Sequence, residues 1–275
     1  MENYIQLHFK NLEATEQELV IAKLINIGFE GFEEGKNFLK ACISENIFDE
    51  NLLQTTMDLN SYSVTREIIE QKNWNEEWEK SFHPVVIENF CAIRASFHAS
   101  VSNVKHEIII TPKMSFGTGH HATTFQVIQF MEKLNFTGKN VLDFGTGTGV
   151  LAILAEKLNA LHILAIDNDD WSINNARENI EMNDCSRITI TKAAGLNSNQ
   201  IFDVILANLN KHIILENLPV IAKQLSSNGV LILSGLLAGD YQEIADAASK
   251  NHLIIRKHSQ VSDWIALCLS LVESV

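Results

Sequence analysis

The sequence predicts a doubly wound α/β sheet that ends in an antiparallel hairpin and is preceded by a small α+β unit. Three observations predict it. From about residue 100, short apolar runs alternate with amphipathic segments of helical period, the pattern of a parallel sheet covered on both faces. The last two runs, "HLIIRKHS" (252–259) and "DWIALCLSL" (263–271), lie too close together to enclose a helix, so they pair as a hairpin at a sheet edge. The beginning of the chain reads instead in the order βαββαβ.

A chain of 275 residues suits two domains better than one. Residues 1–65 form a ferredoxin-like unit, 66–100 a connector, and 101–275 the sheet domain. "YIQLHF" (4–9) alternates as a half-buried strand does. "TEQELVIAKLINIG" (15–28) places Leu19, Ala22 and Ile25 at helical intervals. Thr15 with Glu18 makes a capping box there, and Gly28 stops the helix. "FEGF" and "NFLKACIS" read as a hairpin about Gly35–Lys36, "DENLLQTTM" (49–57) as a second helix and "YSVTREII" (62–69) as a last strand. In the connector, Trp74 and Trp78 stand four apart on one helical face, which docks one domain on the other.

Beyond residue 100 the strands are "EIIIT" (107–111), "NVLDF" (140–144), "HILAID" (162–167), "RITIT" (187–191), "FDVILANL" (202–209) and "GVLILSGL" (229–236). Helices between them are "HATTFQVIQFMEKL", "GVLAILAEKL", "SINNARENIEMN", "KHIILENLPVIAKQL" and "GDYQEIADAASKN".

Composition excludes several classes. A hydrophobic content of 46 % excludes disorder. No apolar run approaches the ~18 residues of a membrane span. "MENYIQLHFK" lacks the basic and apolar regions of a signal peptide, so a cytoplasmic location is expected. Cys42, Cys91, Cys185 and Cys268 form no C-x-x-C pair, which disfavours structural zinc and a disulfide framework. The net charge of −13 disfavours stable nucleic-acid binding and attracts a basic partner.

Two glycine turns carry the chemistry. In "LDFGTGTGV", Asp143 precedes Gly145, Gly147 and Gly149 at a strand-to-helix turn, where glycine permits positive φ and close approach to a ligand. Asp167 ends the next strand, the place for a carboxylate that accepts from ribose hydroxyls. The dinucleotide fingerprint fails, because the sixth position from Gly145 is Val150. An acid followed by G-x-G-x-G resembles the cofactor loop of S-adenosylmethionine-dependent methyltransferases, and the antiparallel last strand resembles their fold.

The other turn is "FGTGHHATT" (116–124). With "ANLN" (207–210), "SGLL" (234–237), "SDW" (262–264) and the upstream "NWNEEWEKSFHPVVI", it resembles in order and spacing the ribosomal protein methyltransferase A family. Members of that family trimethylate amino groups of the eleventh protein of the large ribosomal subunit. The resemblance covers about 70–275; over the first ~65 residues it rests on the βαββαβ pattern alone. It implies a seven-stranded methyltransferase sheet, S-adenosyl-L-methionine as cofactor, and a basic large-subunit ribosomal protein as substrate, methylated on lysine or N-terminal amino groups. It also implies cofactor contacts from Thr124, Gly145, Gly147, Gly149, Asp167 and Asn208. Phe116 and Thr118 fall in the loop over the cofactor's methionine end, and His121 and Trp264 on the substrate side.

Departures from the family pattern surround the acceptor site. Thr111, Lys113 and Ser115 stand where the family has D-P-G and alanine, His120–His121 where it has Thr-His, and Asn210 where it has leucine. The alternatives are lysine methylation on another protein, a non-catalytic cofactor-binding module and a nucleic-acid base methyltransferase. The last would carry N-P-P-Y or N-P-P-F after the fourth strand, where this chain has "NLNK".

Overall fold

The structure, a computed structural model, describes residues 3–69, 82–113, 117–196 and 200–272. It divides into two compact units, Met1–Ser81 and Phe82–Val275.

The first unit runs β1 (Tyr4–Lys10), α1 (Ala14–Ile25), β2 (Gly31–Gly35), β3 (Phe38–Ser44), α2 (Glu50–Thr56) and β4 (Ser63–Ile69). Its sheet has the order β2-β3-β1-β4, antiparallel throughout. Each helix therefore joins two strands with a third between them. Strand alternation buries Ile5, Leu7 and Phe9 of β1 beside Leu39, Ala41 and Ile43 of β3, against Val20 and Leu24 of α1. The helix begins earlier than the Thr15 box predicts: Glu13 is the N-cap, and the Glu16 carboxylate accepts from its backbone N–H at 3.1 Å. The hairpin turn is Lys36–Asn37, since Gly35 already pairs with Phe38. Asp49 caps α2 by accepting from the N–H groups of Asn51 and Leu52. Trp74 and Trp78 lie outside the described residues.

The second unit opens with a three-stranded sheet, β5 (Val85–Ile87), β6 (Cys91–Ala95) and β7 (His106–Ile110), in that spatial order. Here the structure corrects the sequence. "EIIIT" does not join the large sheet; β7 pairs with β6 in parallel. Its other edge is closed by side chains of a later helix, α5 (Asp170–Met182). The Asn179 Oδ1 accepts from Thr111 N–H at 2.8 Å, and Asn183 both accepts from Ile109 N–H and donates to its carbonyl. Amide side chains thus satisfy backbone groups that a neighbouring strand would otherwise take.

The large sheet contains β8 (Asn140–Phe144), β9 (His162–Asp167), β10 (Ile188–Lys192), β11 (Phe202–Asn208), β12 (Leu225–Leu237), β13 (Leu253–Val261) and β14 (Trp264–Leu271). Its order is β10-β9-β8-β11-β12-β14-β13, seven strands, with β14 antiparallel to both neighbours. Helices α3 (Ala122–Glu132), α4 (Val150–Lys157), α6 (Lys211–Gln224) and α7 (Tyr241–Lys250) complete the layers with α5. Successive residues of β11 enter opposite cores: Val204 and Leu206 pack with Val127 and Ile153, while Ile205 and Ala207 pack with Ile214 and Leu218. Burial on both faces is why these strands read as unbroken apolar runs. Each such Leu or Ile contributes about 1.5–3 kcal/mol. The chain leaves β8 toward β9 on one side and returns to β11 on the other, which opens a crevice at the strands' carboxyl ends.

Candidate active site

At that crevice lies a cavity of about 720 Å³, lined among others by Gly145, Gly147, Asp167, Asn208, His121 and Trp264. Its size suits a small organic ligand, for which about 300–1,000 Å³ is usual.

The turn after β8 is built by backbone geometry. Gly145, Gly147 and Gly149 have φ of 78°, 54° and 82°, where a side chain is strained. A Cβ on Gly145 would also fall 2.3 Å from the Leu209 side chain. Gly149 does not line the cavity; it opens α4 and backs onto Ala176. Asp143 is buried beneath the turn, accepting from the Thr146 hydroxyl at 2.6 Å and from Ala152 N–H at 3.2 Å. Burial pushes its carboxyl up to about 7, against the pull of those two bonds.

Asp167 ends β9. Its Oδ2 accepts from Gly147 N–H at 2.9 Å, and its Oδ1 from Asp169 N–H at 3.1 Å. These bonds lock the carboxylate to the glycine turn and leave lone pairs for a ligand, since an ionised carboxylate offers about four acceptor sites. Across the switch point, Asn208 ends β11. Its Nδ2 donates to the Thr124 hydroxyl at 3.2 Å, while its Oδ1 is buried with no hydrogen-bond partner. Thr124 is buried in α3 and does not line the cavity; it fixes the rotamer of Asn208.

The first glycine turn is held on several sides. The Thr148 hydroxyl donates to the Gly117 carbonyl at 2.7 Å. A Cβ on Gly119 would lie 2.5 Å from Ile93. His120 contacts the His83 carbonyl through Nε2 at 2.9 Å and Thr118 Oγ1 through Nδ1 at 3.2 Å. A carbonyl only accepts, so Nε2 carries a proton and donates to it, while Nδ1 shares its bond with the Thr118 hydroxyl. Thr118 is turned to His120 and is not part of the cavity wall. Phe116 lies outside the described residues. His121 caps α3, with Nδ1 2.8 Å from Thr123 Oγ1, and its ring meets Trp264 edge to face at 4.6 Å between centroids.

Sequence reasoning missed part of the wall. Gly235, at φ 82°, sits where β12 shifts register against β14, and a Cβ there would be 2.4 Å from the Leu209 carbonyl oxygen. A glycine inside a strand was the available signal. Ile213, Glu216 and Asn217 of α6 line the cavity as well; their i, i+3, i+4 spacing puts them on one helical face. Among the described residues, no three His, Cys, Asp or Glu side chains converge as a metal site, and no helix is long and apolar enough to cross a membrane.

The family model "Ribosomal protein L11 methyltransferase (PrmA)" matches residues 12–271. The chain belongs to the ribosomal protein L11 methyltransferase family. It is 36 % identical over 274 residues to the ribosomal protein L11 methyltransferase of Phocaeicola vulgatus, covering 96 % of this chain and 98 % of that one. With the protein of the same name from Porphyromonas gingivalis it shares 38 % identity over 261 residues, 92 % of this chain and 90 % of the other. A crystal structure of ribosomal protein L11 methylase from Lactobacillus delbrueckii subsp. bulgaricus superposes with a TM-score of 0.65 at 30 % identity, covering 69 % of this chain and 99 % of that chain. A methyltransferase from Pyrococcus furiosus, 20 % identical with a TM-score of 0.50, shares the fold over 61 % of this chain and 90 % of its own.

The family's cofactor is S-adenosylmethionine. The residues present fit it. The cavity has room for a nucleoside with an amino-acid tail, a strand-end carboxylate for sugar hydroxyls, and a glycine backbone free of Cβ atoms where the ligand must approach.

Proposed function

We propose that this chain methylates lysine and N-terminal amino groups of ribosomal protein L11, up to the trimethylated state. The observation that carries the reading is that Asn208, whose buried Oδ1 has no hydrogen-bond partner, lines the same cavity as Asp167. Leaving a buried acceptor unmade costs about 1–3 kcal/mol, and a donor supplied by cofactor or substrate removes that penalty.

In this reading Gly145, Gly147 and Asp167 hold the nucleoside of S-adenosylmethionine, and Asn208 orients the acceptor amine through its side-chain carbonyl. His121 and Trp264 wall the acceptor side. The bound sulfonium supplies an electrophilic methyl group, so the protein needs no nucleophile of its own. Its residues position the amine in line and exclude water. The amine must arrive neutral, although a free lysine has a pKa of ~10.4. Desolvation beside a cation drives that value down. Water carries away the proton released at each methylation, because both ring nitrogens of His120 are already engaged. The chain's net charge of −13 attracts a basic substrate, and the reaction belongs to the cytoplasm, where ribosomal subunits assemble.

The test is label transfer. Purified protein is incubated with methyl-tritiated S-adenosylmethionine and ribosomal components from cells that lack the modification. Label in L11, recovered as trimethyl-lysine after hydrolysis, is expected. Label in RNA, in another protein alone, or nowhere contradicts the proposal.

A further inference from the structure

The β10 end of the cavity has a chemistry that nothing above has used. Strand order puts β10 far from β12 and β14, so the residues after β10 and the His121–Trp264 pair wall different ends. At the β10 end the strand offers only methyl groups, from Ala193 and Ala194, and the Ala193 N–H is already given to the Asp167 carbonyl. Leu209 and Ile213 add further apolar surface. Flat apolar walls of this kind suit the faces of a purine.

Two polar side chains reach this end from α6, in addition to Asn168 and Ser172 from the β9 side. Asn217 donates its Nδ2 to the Ile213 carbonyl at 2.9 Å, which fixes the amide so that Oδ1 lies on the other side. That oxygen faces the β10 end, since a Cβ built on Gly195 would be 3.5 Å from it. Glu216 is exposed at the cavity wall one residue before, on the same helical face. The cation of this helix's first turn, Lys211, is drawn away to Asp240 and Glu243 at 2.9 Å each, so it does not neutralise Glu216. Helix α6 thus presents two acceptors here, and among the described residues that line the cavity there is no Lys or Arg.

We infer that Asn217 and Glu216 read the six-position amino group of the cofactor's purine, an inference that rests on the cofactor reading above. An exocyclic amine donates to both acceptors. A six-oxo purine places its own acceptor against them and binds more weakly, because two acceptors then face each other and the bonds made by the amino N–H groups are lost.

Calorimetry on the full chain tests this with S-adenosylhomocysteine and its deaminated counterpart, S-inosylhomocysteine. The unaltered protein is expected to prefer the amino form by about tenfold or more. Glu216→Ala combined with Asn217→Leu is expected to reduce that preference to about threefold or less, by weakening the amino ligand alone. Asp167→Ala is expected to weaken both ligands and keep their ratio. Glu216 is exposed, so Glu216→Ala alone preserves the fold and keeps the test decisive if the double variant does not fold; it is expected to lower the preference measurably. Variants that retain the full preference overturn the inference while leaving the cofactor reading intact, and so does an unaltered protein that binds both ligands equally. An unaltered protein that binds neither overturns both.

Discussion

The hydroxyl of Thr148, in the turn after β8, donates a 2.7 Å hydrogen bond to the carbonyl oxygen of Gly117, in the turn before α3. The two glycine turns, 31 residues apart in the chain, are thereby one assembly. Thr148 is fully buried, and its own carbonyl accepts from Asn179 Nδ2 at 2.8 Å, so the same residue is tied to α5. Gly117 needs to be glycine here: its φ is 106°, and a Cβ would come within 2.8 Å of that hydroxyl.

Thr148→Val keeps the shape and removes the donor. The change should weaken S-adenosylhomocysteine binding by about 3–10-fold, the worth of roughly one buried hydrogen bond. Calorimetry at constant pH measures it. Unchanged affinity would mean that the first turn does not depend on the second.

Two glycines with similar dihedrals should respond differently to alanine. Gly235 has φ 82° and backbone 2.4 Å from a built Cβ, whereas Gly138 has φ 72° and nothing within 4 Å. Gly138→Ala should cost only left-handed strain, about 1–2 kcal/mol. Gly235→Ala must displace the Leu209 carbonyl as well and should cost about 3 kcal/mol or more. Denaturant titration of both variants compares them, and equal losses would remove the close-approach argument for the bulge in β12.

Asp143 predicts a pH dependence. Its folded carboxyl is raised from 3.8 to about 7, chiefly by burial, with the nearby Asp167 charge also raising it. The folded state therefore holds a proton that the unfolded state has released, and stability falls as pH rises from about 4 to 7. Asp143→Asn cannot titrate. The melting temperature of that variant, measured relative to the unaltered protein, should rise across this window and level off above it. A constant difference from pH 4 to 8 would refute the assignment.

Much of this was legible in the residues, for identifiable reasons. Strands buried on both faces announce themselves as unbroken apolar runs, so β8, β9 and β11 were readable, and the terminal hairpin was readable because its two runs lie too close together to enclose a helix. Strand partnership was not. "EIIIT" has a strand's composition, but its partner is β6 and its free edge is closed by Asn179 and Asn183, over 70 residues away at the latter. Gly145 and Asp167 stood out because positive φ and a strand-end acid leave local marks. Glu216 and Asn217 left none, since their place depends on where α6 lies on the finished sheet. Gly149 shows the converse: its glycine is explained by packing on Ala176 at the start of α4.

Asn208→Ala removes the partnerless carbonyl and leaves Thr124 without its donor. On the proposed mechanism kcat should fall about 10²–10³-fold, the usual effect of losing one preorganised polar contact in a transition state, with a smaller change in cofactor affinity. Single-turnover transfer of tritiated methyl to L11 measures the first and calorimetry the second. A variant with normal kcat would remove Asn208 from the acceptor side.

The central claim is that a nucleoside lies over the Gly145–Gly147 turn with its sugar gripped by Asp167. Calorimetric titration of Asp167→Ala with S-adenosylhomocysteine tests it most directly. The account predicts a loss of affinity of about tenfold or more, as expected for removal of a charged acceptor from two hydroxyl donors. Binding as tight as that of the unaltered protein would contradict it.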